Sequence, residues 1–114
     1  MRGWWEEDRA KTQLFYNNEL GQWGEAPLHC EAWILKLILM QHLYSPAMWS
    51  IFQLQCYLGV DETIRRNEPD EERINIPANS KHYWRYRMHI NLEDLILSES
   101  FNQGWKEAIQ SSGR

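Results

Sequence analysis

Apolar residues recur at helical spacing in the central part of the chain. The residues on this face are Cys30, Trp33, Ile34, Leu37 and Ile38, at i, i+3, i+4, i+7 and i+8. Further leucines and a methionine widen the face until little of the helix is left for water, and a Ser-Pro pair at 45–46 ends it. The pattern predicts a buried helix that needs neighbours on several sides.

Two amphipathic segments are predicted near the ends of the chain. Acidic residues at 6–8 suit a first helical turn and Gly21 suits a stop, so residues 4–20 are predicted to form one helix. Its inward-facing residues would be Leu14, Phe15 and Leu20. Near the other end, Asn91 can cap a short helix, and a last helix follows from the spacing of Phe101, Trp105, Ala108 and Ile109.

Residues 48–52, Met-Trp-Ser-Ile-Phe, are mostly apolar on both faces. Such a run is typical of a parallel strand covered by helices. No comparable strand precedes it, although the backbone groups of a buried strand need partners on both sides. The sequence therefore predicts an α/β chain with an incomplete sheet, mostly helical with one buried strand at about 48–52.

Residues 82–90 alternate with a period of two, which predicts an extended segment. One side carries Trp84, Tyr86, Met88 and Ile90, and the other carries Tyr83, Arg85, Arg87 and His89. Aromatic and basic side chains in this mixture could stack on and pair with single-stranded nucleic acid, form a sugar-binding wall, or edge a core. The residues alone leave these three interpretations open.

Composition narrows the function classes. With 114 residues one domain is the default, and 16 acidic against 12 basic residues argue against a surface that tracks phosphate throughout. Adjacent carboxylates occur at 6–8, 71–72 and 93–94, but helix ends and a solvated loop account for them better than catalysis does.

Metal, phosphate and membrane signals are absent from the sequence. The four histidines lack metal-site spacing, the six glycines do not cluster, and the two cysteines stand alone. No apolar run reaches the roughly 18 residues of a membrane span. We therefore predict no metal, no cofactor and no membrane partner, with reduced thiols in a cytoplasmic protein.

Five runs resemble those of one enzyme family. They are RGWWEE at 2–7, GEAP at 24–27, SPAMWSIF at 45–52, ERINIP at 72–77 and KHYWRYRMH at 81–89. Together they resemble the 4-alpha-glucanotransferases, also called amylomaltases or disproportionating enzymes, in the form found in plant cytosol and in Bacteroides-type bacteria. The resemblance runs through nearly the whole chain.

The resemblance implies a (β/α)8 barrel that transfers α-1,4-glucan segments to an acceptor sugar with retention, using three acidic residues and no cofactor or metal. The family carries one of these acids in a Thr-His-Asp motif shortly before the RGWW run. All catalytic residues are therefore expected upstream of Met1. Residues 1–114 would be the C-terminal portion of an incomplete barrel domain, with the missing N-terminal part as its partner.

The resemblance also implies a substrate-binding set. The Arg-x-Asn-x-Pro loop of the family borders the acceptor side of the cleft, so Asn75 is expected to hydrogen-bond a sugar, with Arg73 and Pro77 shaping the loop. Trp84 is expected to pack this loop more than to stack on sugar. The expected ligand is an α-1,4-glucan or maltooligosaccharide and not nucleic acid; the alternatives are a small aromatic and basic nucleic-acid module or an inert gene fragment.

Overall fold

The computed structural model describes residues 2–114, which form six α-helices and one short 3₁₀ helix. The elements are α1 (Arg2–Glu7), α2 (Arg9–Asn18), α3 (Ala32–Leu43), α4 (Leu54–Leu58), the 3₁₀ helix Pro69–Glu72, α5 (Leu92–Leu97) and α6 (Glu99–Ser111). Helix α1 packs against α2, and α3 packs against α6. No described helix is long and apolar enough to cross a lipid bilayer.

The predicted helix over residues 4–20 is two helices because Asp8 interrupts it. The backbone of Asp8 is extended, with φ −140° and ψ 96°, and the Asp8 carboxylate accepts a hydrogen bond from the Lys11 backbone amide. An aspartate in this position caps the N-terminus of α2. Of the predicted inward-facing residues, Leu20 is buried and Phe15 packs against the core, but Leu14 is 62% exposed. Thr12 and Tyr16 are buried as well.

The loop between α2 and α3 is held by polar side chains of α2. Arg9 donates to the carbonyls of Ala26 and Pro27, and Oε1 of Gln13 accepts a hydrogen bond from the Ala26 amide. Gly24, with φ +91°, permits the turn in a conformation that side-chain-bearing residues rarely adopt. This loop therefore lies fixed against the first two helices.

Helices α3 and α6 supply most of the core. The fully buried residues of α3 are Ala32, Ile34, Leu35, Ile38, Leu39 and Leu43, and those of α6 are Phe101, Trp105 and Ala108. Tyr57 stacks on Trp105 with ring centroids 4.5 Å apart and so ties α4 to α6. The predicted central, short and last helices are confirmed, and each large apolar side chain buried among them contributes roughly 1.5–3 kcal/mol.

The predicted buried strand at 48–52 and the barrel-fragment character are wrong. Residues 2–114 contain no β-strand, and Met48, Trp49 and Ile51 are 84%, 75% and 88% exposed. A strand needs a neighbouring strand to pair its amide and carbonyl groups, and no described segment offers one here. The apolar run is instead irregular chain, held where the Ser50 hydroxyl donates to the His42 carbonyl and where the Phe52 ring packs against Trp105.

The alternating segment at 82–90 is also irregular, but its side-chain periodicity persists. Tyr86, Met88 and Ile90 are partly buried, whereas Arg85 and Arg87 are exposed. Burial of one side against the core explains this alternation without a sheet, because Met88 and Ile90 pack against the central apolar cluster.

Candidate functional site

All four predicted binding residues lie in one loop, residues 73–86, with Trp84 near its end. We call residues 73–86 the candidate loop. Two turns shape it, since the Asn79 amide donates to the Ile76 carbonyl and the His82 amide donates to the Asn79 carbonyl. The His82 ring also contacts the Ile74 carbonyl, with 2.8 Å from Nε2 to the oxygen. The loop therefore has a defined shape although no residue in it is fully buried.

Asn75 is partly buried, and its side-chain amide makes no hydrogen bond within residues 2–114. An amide can donate two hydrogen bonds and accept two, so Asn75 keeps its capacity for a polar ligand. Pro77 is exposed in the first turn of the loop. Neither residue would have been singled out by helical or strand periodicity.

Arg73 lies where the candidate loop meets the body of the protein. Its guanidinium pairs with Asp70 at 3.3 Å, and both side chains are largely exposed. Arg73 lines a cleft of about 200 Å³ together with Arg2, Gly3, Gln53, Gln55 and Glu72. It also borders a wider cleft of about 790 Å³ whose acidic residues include Glu6, Glu7 and Asp70.

Trp84 does not pack the loop as expected. Its side chain is 68% exposed, and that of the neighbouring Tyr83 is 76% exposed. The Arg85 guanidinium lies over the Tyr83 ring, 5.8 Å from the ring centroid. The two rings are therefore available to a ligand in the described chain.

A mostly buried carboxylate lies directly before the candidate loop. The Glu72 side chain is 12% exposed, and its Oε2 lies 3.8 Å from Nη1 of Arg2. Among residues 2–114, its other oxygen and the buried Tyr86 hydroxyl have no hydrogen-bond partner. Burial raises the pKa of Glu72 above its usual range, and the nearby Arg2 charge opposes that change.

Sequence reasoning did not identify Arg2 and Glu72 as site residues. Both fall within runs quoted above, RGWWEE and ERINIP, but their charges resemble ordinary surface charges in the sequence. Only the fold shows that they meet across a separation of seventy residues. This contact joins α1 to the start of the candidate loop.

Histidines in the described region contact neighbouring protein groups. His29 lies 2.8 Å from Glu6, and the rings of His82 and His89 contact backbone carbonyls. Among residues 2–114, no three His, Cys, Asp or Glu side chains converge as a metal site would require. The described residues thus offer no metal-binding cluster.

Comparison with known proteins assigns the chain to a family. The family model described as 4-alpha-glucanotransferase matches residues 1–93. The chain belongs to the 4-alpha-glucanotransferase family. No solved structure matches it.

Two curated relatives carry the same description. The chain is 39% identical over 114 residues to 4-alpha-glucanotransferase DPE2 of Oryza sativa subsp. japonica, which covers 100% of the chain and 12% of the relative. It is 30% identical over 110 residues to 4-alpha-glucanotransferase of Chlamydia trachomatis serovar D, covering 90% of the chain and 19% of the relative. The chain thus spans less than a fifth of the length of these relatives.

Proposed function

We propose that this chain is part of a 4-alpha-glucanotransferase and contributes the loop that borders the acceptor side of its glucan site. The proposed activity is the retaining transfer of an α-1,4-glucan segment to a sugar hydroxyl. Family membership supports the activity. The single observation that carries the binding role is the shaped candidate loop, in which the Asn75 amide keeps its hydrogen-bonding capacity among residues 2–114.

Each proposed binding residue has a role that fits its position. Asn75 hydrogen-bonds a sugar hydroxyl, and Pro77 shapes the exposed turn beside it. Arg73, at the junction of two clefts, donates to hydroxyls of the same sugar or its neighbour. Trp84 offers an exposed ring face on which a glucose ring can stack.

The catalytic carboxylates are proposed to come from polypeptide outside these 114 residues. One carboxylate in each of the three acidic clusters has a protein partner: Glu6 contacts His29, Glu71 pairs with Arg66, and Asp94 accepts from Asn91. The much greater length of the relatives supports the same proposal. The purified chain is therefore expected to release no glucose from maltotriose above a blank, and clear release would contradict this assignment.

Sugar binding by the chain tests the loop assignment directly. We expect maltoheptaose to shift the NMR resonances of the candidate loop, and Asn75→Ala to weaken the affinity about two- to tenfold, the range of one net hydrogen bond. Asn18→Ala, an exposed asparagine at the end of α2, is the matched control and should leave the affinity unchanged. Equal affinities of all three proteins would remove Asn75 from the site.

The exposed aromatic and basic residues leave nucleic-acid binding as an alternative function, which the same protein samples can test. Lys81, Tyr83, Arg85 and Arg87 are all exposed, as a face for single-stranded nucleic acid would need. Titration with single-stranded RNA at several salt concentrations separates the two. Tight binding that weakens steeply with salt, without any response to maltoheptaose, would favour the nucleic-acid interpretation.

We also propose that the parent protein is cytoplasmic. Cys30 and Cys56 are both free thiols. Unpaired cysteines fit a reducing compartment. Localisation of a tagged parent protein by fluorescence microscopy tests this, and a secreted product would contradict it.

A further inference from the structure

One side chain, that of Arg66, contacts both flanks of the candidate loop. Its Nη1 donates to Oε2 of Glu71 at 2.7 Å, just before the loop begins. Its Nη2 donates to the Arg87 carbonyl at 2.9 Å, just after the loop ends. The planar guanidinium fork thus bridges two points that are sixteen residues apart along the chain.

The candidate loop has little else to hold it in place. None of its residues is fully buried, and those at its tip, 77–81, are exposed. Its internal turns give it shape but do not attach it to the rest of the protein. Ordering such a loop costs backbone entropy at every residue, so contacts at its flanks have a large influence on it.

Arg66 is itself firmly placed. Its side chain is 19% exposed, and Nη1 and Nη2 of Arg2 donate to the carbonyls of Arg66 and Asn67. The ring of His89 contacts the carbonyl of Ile64, which holds the chain after the loop against the chain before Arg66. The backbone that carries the Arg66 side chain is therefore hydrogen-bonded to α1.

We propose that Arg66 is the positioning residue of the glucan-binding loop. By bridging the two flanks it holds Asn75 and Arg73 in place before the sugar arrives, so that less ordering entropy is lost on binding. The proposal rests on the proposed function for the identity of the ligand. Arg66 does not touch the sugar; it acts through the Glu71 side chain and the Arg87 carbonyl.

An arginine suits this task better than a lysine. Its two Nη atoms are fixed in one plane and donate in different directions, whereas an ammonium concentrates its charge at a single nitrogen. A lysine at this position would keep the charge beside Glu71 but would not reach both partners. Arg66→Lys therefore removes the bridge between the two flanks while keeping the positive charge.

The test compares Arg66→Gln with Lys106→Gln in the 114-residue chain. Lys106 is exposed on α6 and makes no ion pair within residues 2–114, so its replacement removes the same charge without touching the loop. Hydrogen exchange is followed by NMR at the loop amides of Asn79, Lys81 and His82, which are hydrogen-bonded. Affinity for maltoheptaose is measured on the same samples.

We expect Arg66→Gln to speed exchange at these amides about two- to tenfold and to weaken maltoheptaose binding by a similar factor, the range of one net hydrogen bond. Lys106→Gln should change neither quantity. Unchanged loop exchange in Arg66→Gln would overturn the proposal. Faster exchange with unchanged affinity would also overturn it, because the residue would then be structural only.

Two further outcomes remain decisive. If the unsubstituted chain does not bind maltoheptaose but Arg66→Gln still speeds loop exchange, the positioning role stands and the glucan assignment fails. If Arg66→Gln unfolds the whole chain, with faster exchange in α3 and α6 as well, Arg66→Lys takes its place. Faster exchange confined to the loop in Arg66→Lys supports the bridge, and unchanged exchange overturns it.

Discussion

Arg2 approaches Glu72 with 3.8 Å between Nη1 and Oε2, and both side chains are almost enclosed, at 14% and 12% exposure. The distance is too long for a hydrogen bond. The Arg2 guanidinium instead donates to the carbonyls of Arg66 and Asn67. Glu72 is therefore an ionisable group that has lost water without gaining a close partner.

This arrangement predicts that Glu72→Gln stabilises the chain at neutral pH. Burial is the largest cause of the raised pKa of Glu72 in the folded state, so the folded protein binds the proton more tightly than the unfolded chain does. The contribution of this group to stability is then fully present below the ordinary pKa of 4.5 and is lost as pH rises through the folded value. Urea unfolding from pH 4 to pH 8 measures it.

The expected result is a higher urea midpoint for Glu72→Gln than for the unsubstituted chain at pH 7, with the gap closing towards pH 4. Glu93→Gln, an exposed glutamate in the first turn of α5, is the control: it removes a charge that the helix N-terminus favours, so its midpoint should not rise at pH 7. A lower midpoint for Glu72→Gln at pH 7 would mean that the Arg2 charge outweighs burial.

Because the Trp84 ring is exposed, its removal is predicted to weaken sugar binding while leaving the stability of the chain nearly unchanged. Because the side chain is 68% exposed, Trp84→Ala should change the free energy of unfolding by no more than about 0.5 kcal/mol. If the ring stacks on glucose, the same change should weaken maltoheptaose binding about two- to tenfold, the range of one aromatic contact. Calorimetric titration and urea unfolding measure the two quantities.

Trp23, which is 95% exposed between α2 and α3, provides the matched control. Trp23→Ala should change neither affinity nor stability. A large loss of stability in Trp84→Ala would restore the packing role expected from the sequence.

The helices of the core could be predicted from the sequence because the spacing of their apolar residues matches the faces that are buried against other parts of the chain. The spacing of Ile34 and Ile38 in α3 and of Phe101 and Trp105 in α6 corresponds to faces that meet in the structure. The capping effect of Asp8 was missed, since Asp8 sits in an acidic run that also suits the interior of a first helical turn.

The strand prediction failed for a different reason. Apolar residues on both sides of a short run indicate that something covers them, but they do not determine secondary structure without a pairing partner. The candidate loop was recognised through the family resemblance, whereas its attachments were not. Arg66 and the Arg87 carbonyl belong to a contact that no local pattern encodes.

The exposed apolar residues Trp49 and Ile51 predict self-association of the chain. Neighbouring exposed apolar groups at 75% and 88% exposure form a surface that water solvates poorly. The double substitution Trp49→Ser and Ile51→Ser should therefore lower the fraction of dimers and larger species in sedimentation velocity at about 100 µM, within the micromolar-to-millimolar range where exposed apolar surface drives association. Trp23→Ser removes a tryptophan that is even more exposed, at 95%, and should have less effect. Equal effects would show that self-association does not depend on the 48–52 segment.

Two glycines predict opposite responses to the same substitution. A Cβ on Gly59 would lie 2.6 Å from Leu35 Cδ2 and 2.8 Å from the Gln55 carbonyl oxygen, so Gly59→Ala forces the Leu35 side chain and the end of α4 to shift and should cost about 1–3 kcal/mol. A Cβ on Gly104, inside α6, would meet nothing within 4 Å, so Gly104→Ala should stabilise by about 1 kcal/mol through helix propensity. Urea unfolding of the two single variants measures both. If Gly59→Ala were as stable as Gly104→Ala, the close approach of α4 to α3 at Leu35 would be wrong.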